Sequence, residues 1–145
     1  MKRAKDQAGG WLFKEEPEHY SFADLQRDGE TLWNGVDNNL ARKHLREVKP
    51  GDRVLYYHTG KERAIVGEMR VLAAPQTDAE SDDPKAVVVQ VGPTKRWAHP
   101  LTLERIKREP RLAAFDLVRL PRLSVMPVTA DQWKLLEELA ARGDD

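Results

Sequence analysis

Four short β-rich runs constrain the fold of this chain more than any other feature of its sequence. Each run is rich in valine, isoleucine or aromatic residues and is bounded by proline, glycine or polar breaks, a pattern typical of strands. The runs are Trp11 to Lys14, Val54 to His58, residues 63–74 and Ala86 to Gly92, and a shorter one follows in "RLSVMPV". They do not alternate regularly with helices, as the strands of a parallel βαβ fold would. We therefore expect an α+β protein with a mixed, barrel-like sheet and helices packed on its outside.

Capping patterns predict four helices between and after these strands. They are a helix from Ser21 to Arg27 ended by Gly29, a helix capped by Asn38 or Asn39 that runs to Val48, a threonine-capped helix in "LTLERIKREPRLAAF" stopped by Pro110, and a last helix capped by Thr129 with Gln132. The acidic segment "PQTDAESDDP" has no periodicity and is predicted to be a surface loop. We expect one domain over residues 11–142, preceded by a disordered leader at residues 1–10.

The charge balance and the missing residue types narrow the function classes. Lysine plus arginine equals aspartate plus glutamate at 24 each in 145 residues, so an anionic partner must be held by a local patch. Cysteine is absent, which excludes disulfides, thiolate metal sites and a cysteine nucleophile. The sequence contains no glycine-rich phosphate loop, no paired-histidine metal motif and no apolar run of about 20 residues that could span a membrane. We therefore expect a cytoplasmic binding module that uses no cofactor or metal.

The segment "TLWNGVDNNLARKHLR", residues 31–46, is the strongest candidate for a binding site. Its tryptophan, Trp33, stands directly before an Asn-Gly turn, and ligand-contacting residues often collect on such irregular segments. The ring could stack a nucleobase, which contributes about 1–3 kcal/mol, or it could fill a gap in the core. The residues alone support these two interpretations about equally. The helix that follows carries Arg42, Arg46 and Lys49 at i, i+4 and i+7, a spacing that predicts a basic stripe on one face.

Four motifs in the right order resemble those of the EVE-domain family: "WLFKEEPEHYSFADL", "LWNGVDNNLARKHLR", "GDRVLYYHTGKERAIVG" and "RLSVMPVT". They cover nearly all of the chain, from Trp11 to about Trp133. The resemblance implies a PUA-like fold, a small mixed barrel with flanking helices, similar to the YTH domains that read methylated adenine in RNA. It also implies a non-catalytic reader of a modified base, with methylated or hydroxymethylated cytosine favoured. We expect a monomer whose partner is DNA or RNA carrying that base, and no membrane partner.

The resemblance indicates where such a base would bind. Trp33 matches the tryptophan that stacks the base in YTH-like motifs. The residues expected in the base-binding pocket are Trp33, Asn34, Gly35, Asn38, Lys14, His58, Thr59 and Ser124, and those expected on the nucleic-acid backbone are Arg42, Arg46, Lys49 and Arg122. Amide side chains can hydrogen-bond a base edge, and a glycine lets the backbone approach the ligand. A structural interpretation also exists, because Asn-Gly is a favoured turn and Asn38 is a natural helix cap.

Strand alternation sorts several of these side chains by face. Tyr56 and His58 are expected on one face of their strand, and Thr59 on the other. By the same rule, Arg122 and Ser124 are expected to share one face of the last strand, where the serine could bond a base edge and the arginine a phosphate.

The chain departs from the family pattern at several positions. Family members usually carry threonine where Glu15 stands and arginine where Asp37 stands. Many also carry a tryptophan at the position of Ala86, in a region that helps to sandwich the base in YTH domains. Trp97 or Tyr57 could supply that second aromatic wall instead.

Two other functions remain open. A hydrolase acting on bases or nucleotides could use His58 with Glu15 or Glu16 as acid and base, although no coherent triad or metal set accompanies them. A protein-interaction module with a vestigial pocket is the second alternative, and Ala86 is the residue that favours it.

Overall fold

The computed structural model describes residues 9–143 of the chain. Most of the predicted leader, residues 1–8, lies outside this range, and the first strand already begins at Gly10. The seven strands are β1 Gly10–Glu15, β2 Thr31–Trp33, β3 Arg53–His58, β4 Ala64–Val71, β5 Gln76–Thr77, β6 Val87–Thr102 and β7 Val125–Val128. The five α-helices are α1 Phe22–Asp28, α2 Asn39–Glu47, α3 Leu103–Lys107, α4 Asp116–Arg119 and α5 Ala130–Ala141, with a 3₁₀ turn at Pro110–Leu112.

The strands form one mixed sheet in the order β2-β6-β4-β3-β1-β7, with β5 paired to β6. The pairing of β1 with β3 is parallel and the others are antiparallel. Two ring distances show that the sheet curls. Trp33, at the β2 edge, lies 5.4 Å from the ring of Phe13 in β1 and 5.3 Å from the ring of Tyr56 in β3. The result is the expected α+β half-barrel with helices outside it, and this confirms the predicted fold class.

An aromatic cluster fills the inside of the half-barrel. Tyr56 is fully buried and packs edge-on against Phe22 and Trp33, with ring centroids 5.4 and 5.3 Å away. Phe22, the first residue of α1, lies over Gly67 of β4, where a Cβ atom would come within 2.7 Å of the ring. The absence of a side chain at Gly67 therefore lets α1 approach the sheet closely.

Local capping signals identified the helix ends well. The capping box of Ser21 with Asp24 begins α1, and Gly29 ends it with φ 82°. The predicted box of Thr129 with Gln132 likewise begins α5. Of the two candidate caps of α2, Asn38 fills that place, and Asn39 is the first helical residue.

Several strand boundaries differ from the prediction. The strand predicted from Ala86 to Gly92 runs from Val87 to Thr102, because both β4 and β2 pair along it. The three-residue strand β2 was not predicted. Within residues 9–143, none of the helices has the length and apolar character needed to cross a membrane.

Candidate functional site

Trp33 lies inside the half-barrel and not on an irregular segment, which corrects the prediction. It is the last residue of β2, where it pairs with Val89, and 5% of its surface is exposed. Its strand neighbour Leu32 is 58% exposed, since successive side chains of a strand point to opposite faces. The ring packs against Phe13 and Tyr56, so in this conformation the indole offers little free face to a ligand.

The turn after Trp33 is open to solvent. Asn34 is exposed, and Gly35 has φ 76°. No atom of residues 9–143 would lie within 4 Å of a Cβ at Gly35, so its backbone can be approached closely. Asn38 is also exposed, but its Oδ1 accepts a hydrogen bond of 2.9 Å from the backbone N–H of Ala41. The structure thus brings Trp33, Asn34 and Gly35 together and uses Asn38 as a helix cap.

The predicted basic stripe on α2 is wrong in two of its three members. Arg42 is only 8% exposed; its Nε donates to the carbonyl oxygen of Val36 at 2.7 Å, and its Nη2 pairs with Asp83 at 2.9 Å. Lys49 follows Val48, the C-cap, and therefore lies outside the helix. Arg46 is exposed and donates to the carbonyl oxygen of Lys85 at 2.9 Å.

Arg42 and Arg46 together hold the acidic loop against α2. Arg42 reaches both the turn after Trp33 and the loop, which it contacts at Asp83. Arg46 binds the carbonyl oxygen of Lys85, the residue directly after the loop. Two hydrogen bonds hold the pKa of Asp83 below its usual value. The larger effect comes from the backbone N–H of Lys85 and the smaller from the side chain of Arg42. The sequence could not reveal this role, because the acidic partner of Arg42 lies far from it along the chain.

Lys14 and Thr59 lie on the outer face of the sheet, away from Trp33. In β1 Phe13 points inward, and Lys14 points outward with its Nζ 5.6 Å from the ring of Tyr57. Lys14 donates to the carbonyl oxygen of Pro121 at 2.9 Å, and burial lowers its pKa. The structure therefore divides the predicted pocket between two faces of the same strands.

A small outer cavity of about 270 Å³ is lined by Lys14, Tyr57 and Thr59. Arg63 and Lys107 also line it, and neither was predicted as a site residue. One signal in the sequence could have suggested Arg63, since it sits in the "TGKER" turn directly after the strand that carries Tyr57. Burial raises the pKa of the Tyr57 hydroxyl to about 12.

Ser124 and Arg122 precede the last strand instead of sharing one of its faces, which corrects the alternation argument. Strand β7 begins at Val125, Ser124 forms a bend and Arg122 lies exposed in a turn. The carbonyl oxygen of Ser124 accepts from the backbone N–H of Lys14 at 2.9 Å, so its main chain continues the pairing with β1.

His58 points inward with Tyr56, as alternation predicted, and both of its ring nitrogens have partners. Its Nε2 accepts from the backbone N–H of Phe22 at 3.1 Å, which assigns the proton to Nδ1, 2.7 Å from Glu62. The carboxylate of Glu15 instead meets His19 at 3.0 Å. The acid–base set of the hydrolase alternative is therefore not assembled in this conformation.

The suggested replacements for the second aromatic wall do not reach Trp33. Tyr57 lies on the outer face, and the Nε1 of Trp97 donates to the buried carboxylate of Glu68 at 2.8 Å. Ala86 is 9% exposed. The ring that does meet the indole from β3 is Tyr56.

A curled mixed sheet with flanking helices, and a tryptophan before an open amide-bearing turn, defines a PUA-like domain. The chain belongs to the EVE domain family, whose model matches residues 10–139. This membership confirms the resemblance of the four sequence motifs.

Solved structures and a curated relative are similar over most of the chain. Rpa0253 from Rhodopseudomonas palustris is 34% identical with a TM-score of 0.86, covering 94% of this chain and 96% of that one. The human THYN1 protein, solved in complex with 5-methylcytosine-containing DNA, is 26% identical with a TM-score of 0.82, covering 90% and 96%. Mouse (Mus musculus) thymocyte nuclear protein 1 is 27% identical, covering 93% of this chain and 75% of the mouse protein.

Proposed function

We propose that this EVE domain is a non-catalytic module that binds nucleic acid and reads a modified base, with methylated or hydroxymethylated cytosine as the favoured ligands. The observation that carries this proposal is the similarity, over 90% of the chain, to a human protein solved with 5-methylcytosine-containing DNA. DNA is therefore the first carrier to test, with RNA of the same sequence as the comparison.

The base-reading site of this proposal is the indole of Trp33 with the turn that follows it. A flipped base needs a flat ring, and stacking contributes about 1–3 kcal/mol. Because only 5% of Trp33 is exposed, we propose that binding requires a local shift of the turn that uncovers the indole. Asn34 would then hydrogen-bond the base edge, and Gly35 would let the backbone approach it.

The cations near this turn have different roles in the proposal. Lys49, and Arg122 in the turn before the last strand, are exposed and would neutralise phosphates. Arg46 is exposed too and would do the same, although it also donates to the carbonyl oxygen of Lys85. Arg42 is instead a positioning residue, because its bonds to Val36 and Asp83 fix the turn relative to the acidic loop.

A panel of oligonucleotides that differ only in the modification of one cytosine tests the proposal. We expect tighter binding of the modified strand by fluorescence anisotropy, with a preference that the variant Trp33→Leu loses, because leucine fills space without a flat ring. Leu32→Ala is the matched control, since Leu32 belongs to the same strand and is 58% exposed. Equal binding of modified and unmodified strands by the wild-type chain would contradict base reading.

Arg46→Gln separates backbone contacts from base reading. Removing a phosphate contact should weaken binding to every oligonucleotide alike and reduce the salt dependence by about one unit of slope. A loss confined to the modified strand would instead place Arg46 in the base-reading site.

The same panel distinguishes the alternatives. Chemical turnover of the modified base, abolished by His58→Ala, would favour the hydrolase, whereas absence of binding at low salt would favour a vestigial pocket.

The monomeric state and the cytoplasmic location stay predictions, and the matching relatives include a protein named as nuclear. Size-exclusion chromatography with light scattering tests the first and microscopy of the tagged protein tests the second.

A further inference from the structure

We infer that the outer cavity lined by Lys14, Arg63 and Lys107 is a binding site for a phosphate-type oxyanion. The cavity lies on the face of β1 and β3 opposite Trp33, so it is separate from the proposed base-reading site. Its phosphate could be free in solution or part of a nucleic-acid backbone, and the two sources share the same chemistry.

The charges around the cavity are the first argument. Three cationic side chains line it, and no carboxylate of the described residues does. Among residues 9–143, none of the three forms an ion pair within 4.0 Å. Glu62 and Glu104 line an adjoining groove that shares Arg63 and Lys107, and Glu62 is engaged with His58 at 2.7 Å. An anion in the cavity would pair with the half-buried Lys14 and with the exposed Arg63 and Lys107.

A second, larger groove shows the ordinary arrangement. This groove of about 850 Å³ beside Trp11 is also lined by cations, but it contains two carboxylates as well. There Lys43 pairs with Glu47 at 3.0 Å, and Asp52 accepts from the indole of Trp11 and from the backbone N–H of Lys49. Of these two sites, only the outer cavity gathers cations without a carboxylate among them.

Hydroxyl groups add neutral donors to the outer cavity. Tyr57 is 2% exposed and lines it, and no hydrogen bond from a described residue reaches its hydroxyl. Thr59 supplies a second hydroxyl at the end of β3. Burial lowers the pKa of Lys14, because the charged ammonium loses hydration there. A bound anion would offset this loss of hydration. Cations and hydroxyl donors together are the groups that bind phosphate oxygens.

The backbone conformation at Arg63 is a further argument, after the charges and the hydroxyl groups. Its φ of 43° makes it the only non-glycine residue with positive φ in the described part of the chain. Such strain persists where surrounding contacts enforce it and is found often at ligand-binding sites. The carbonyl oxygen of Arg63 accepts from the backbone N–H of Leu103 at 2.8 Å, which joins the turn to the start of the helix that carries Lys107.

The size of the cavity favours a small ligand. Its volume of about 270 Å³ is below the roughly 300–1,000 Å³ of pockets that enclose drug-sized molecules. A tetrahedral oxyanion with part of its hydration shell is a better match to this space than a nucleotide.

An NMR titration with inorganic phosphate tests the site directly. The ¹⁵N-labelled chain is titrated in phosphate-free buffer, with chloride keeping the ionic strength constant, and the amide shifts of Thr59, Gly60 and Arg63 are followed. We expect these shifts to saturate, and each of Arg63→Asn and Lys107→Gln to weaken binding by about tenfold. Asparagine is chosen at Arg63 because it tolerates positive φ, so the turn is preserved.

Two matched controls and a second ligand complete the experiment. Lys61→Gln and Arg108→Gln remove nearby exposed cations that do not line the cavity, and both should leave phosphate affinity unchanged. The same variants are tested with an unmodified single-stranded oligonucleotide. If they weaken it too, the site receives backbone phosphates; if they weaken only inorganic phosphate, the ligand is a free anion. Either result supports the site.

Two outcomes would overturn the inference. One is that phosphate produces no saturable shift near Thr59 and the variants bind oligonucleotide like the wild type. The other is that the controls lose as much affinity as the cavity variants, which would indicate general charge screening. Trp33→Leu should not change the phosphate titration, so failure of base reading and failure of this site are distinguishable.

Discussion

Replacing Trp33 by alanine tests whether the indole is part of the core, on which the whole description of the site depends. The side chain is 5% exposed, and its ring lies 5.4 Å from Phe13 and 5.3 Å from Tyr56. Truncating a buried large aromatic residue to alanine costs about 3–5 kcal/mol, from lost apolar burial and from the cavity left behind. A domain has about 5–15 kcal/mol of total stability, so Trp33→Ala should remove a large share of it.

Urea unfolding followed by far-UV circular dichroism measures this loss. The midpoint should fall with little change in the slope, which would show that stability and not compactness has changed. Leu32→Ala, at the exposed neighbouring position, should stay within about 0.5 kcal/mol of the wild type. Trp33→Leu should lie between the two variants, because it retains much of the apolar contact.

A loss of stability below about 1 kcal/mol for Trp33→Ala would refute the buried placement, since so small a loss is typical of a surface position. The indole would then face solvent, and the turn would need no shift to admit a base. A loss in the expected range would instead mean that binding assays with Trp33→Ala measure folding as well as stacking, so Trp33→Leu is the informative variant for binding.

Three further variants test other parts of the structure. Gly67→Ala should destabilise the fold by about 1–3 kcal/mol in urea unfolding, because its Cβ would lie within 2.7 Å of the Phe22 ring. Ser21→Ala should cost about 1 kcal/mol in the same assay, because it removes the capping box of the first helix. Hydrogen bonds from Arg111 lower the pKa of the Glu109 carboxyl from 4.5 to about 2. The contribution of this pair to folding stability is therefore fully present above pH 4.5 and is lost as the pH falls through about 2. An NMR titration of the Glu109 carboxylate should show its pKa rising toward 4.5 in Arg111→Met, and an unchanged value would contradict the pairing.

Local signals explain what the sequence predicted correctly. Capping boxes are made by residues three positions apart, so the starts of the first and last helices could be read directly. The strand β2 was missed because it is only three residues long and exists through its pairing with β6. That pairing is also what turns Trp33 inward, a fact that no nearby residue indicates.

The composition of the sites depended on contacts between distant parts of the chain. Alternation correctly separated His58 from Thr59, but it could not show that the parallel register aligns Lys14 with Tyr57. Lys107 reaches the same cavity from a helix that follows the long strand β6. The prediction of one pocket failed because it joined residues by motif order, whereas adjacent positions of a strand face opposite ways.

The two sites proposed for this domain use neighbouring residues of the same strands and should nevertheless act independently. Phe13 and Tyr56 hold the indole inside the sheet, while Lys14 and Tyr57, one position further along each strand, face the outer cavity. Residues that share no partner usually contribute additively. The double variant of Trp33→Leu with Lys107→Gln should therefore show the sum of the two single effects on oligonucleotide affinity, within about 0.5 kcal/mol. A clear departure from additivity in anisotropy measurements would mean that the strands transmit a shift from one site to the other, and the sites could then not be treated as separate.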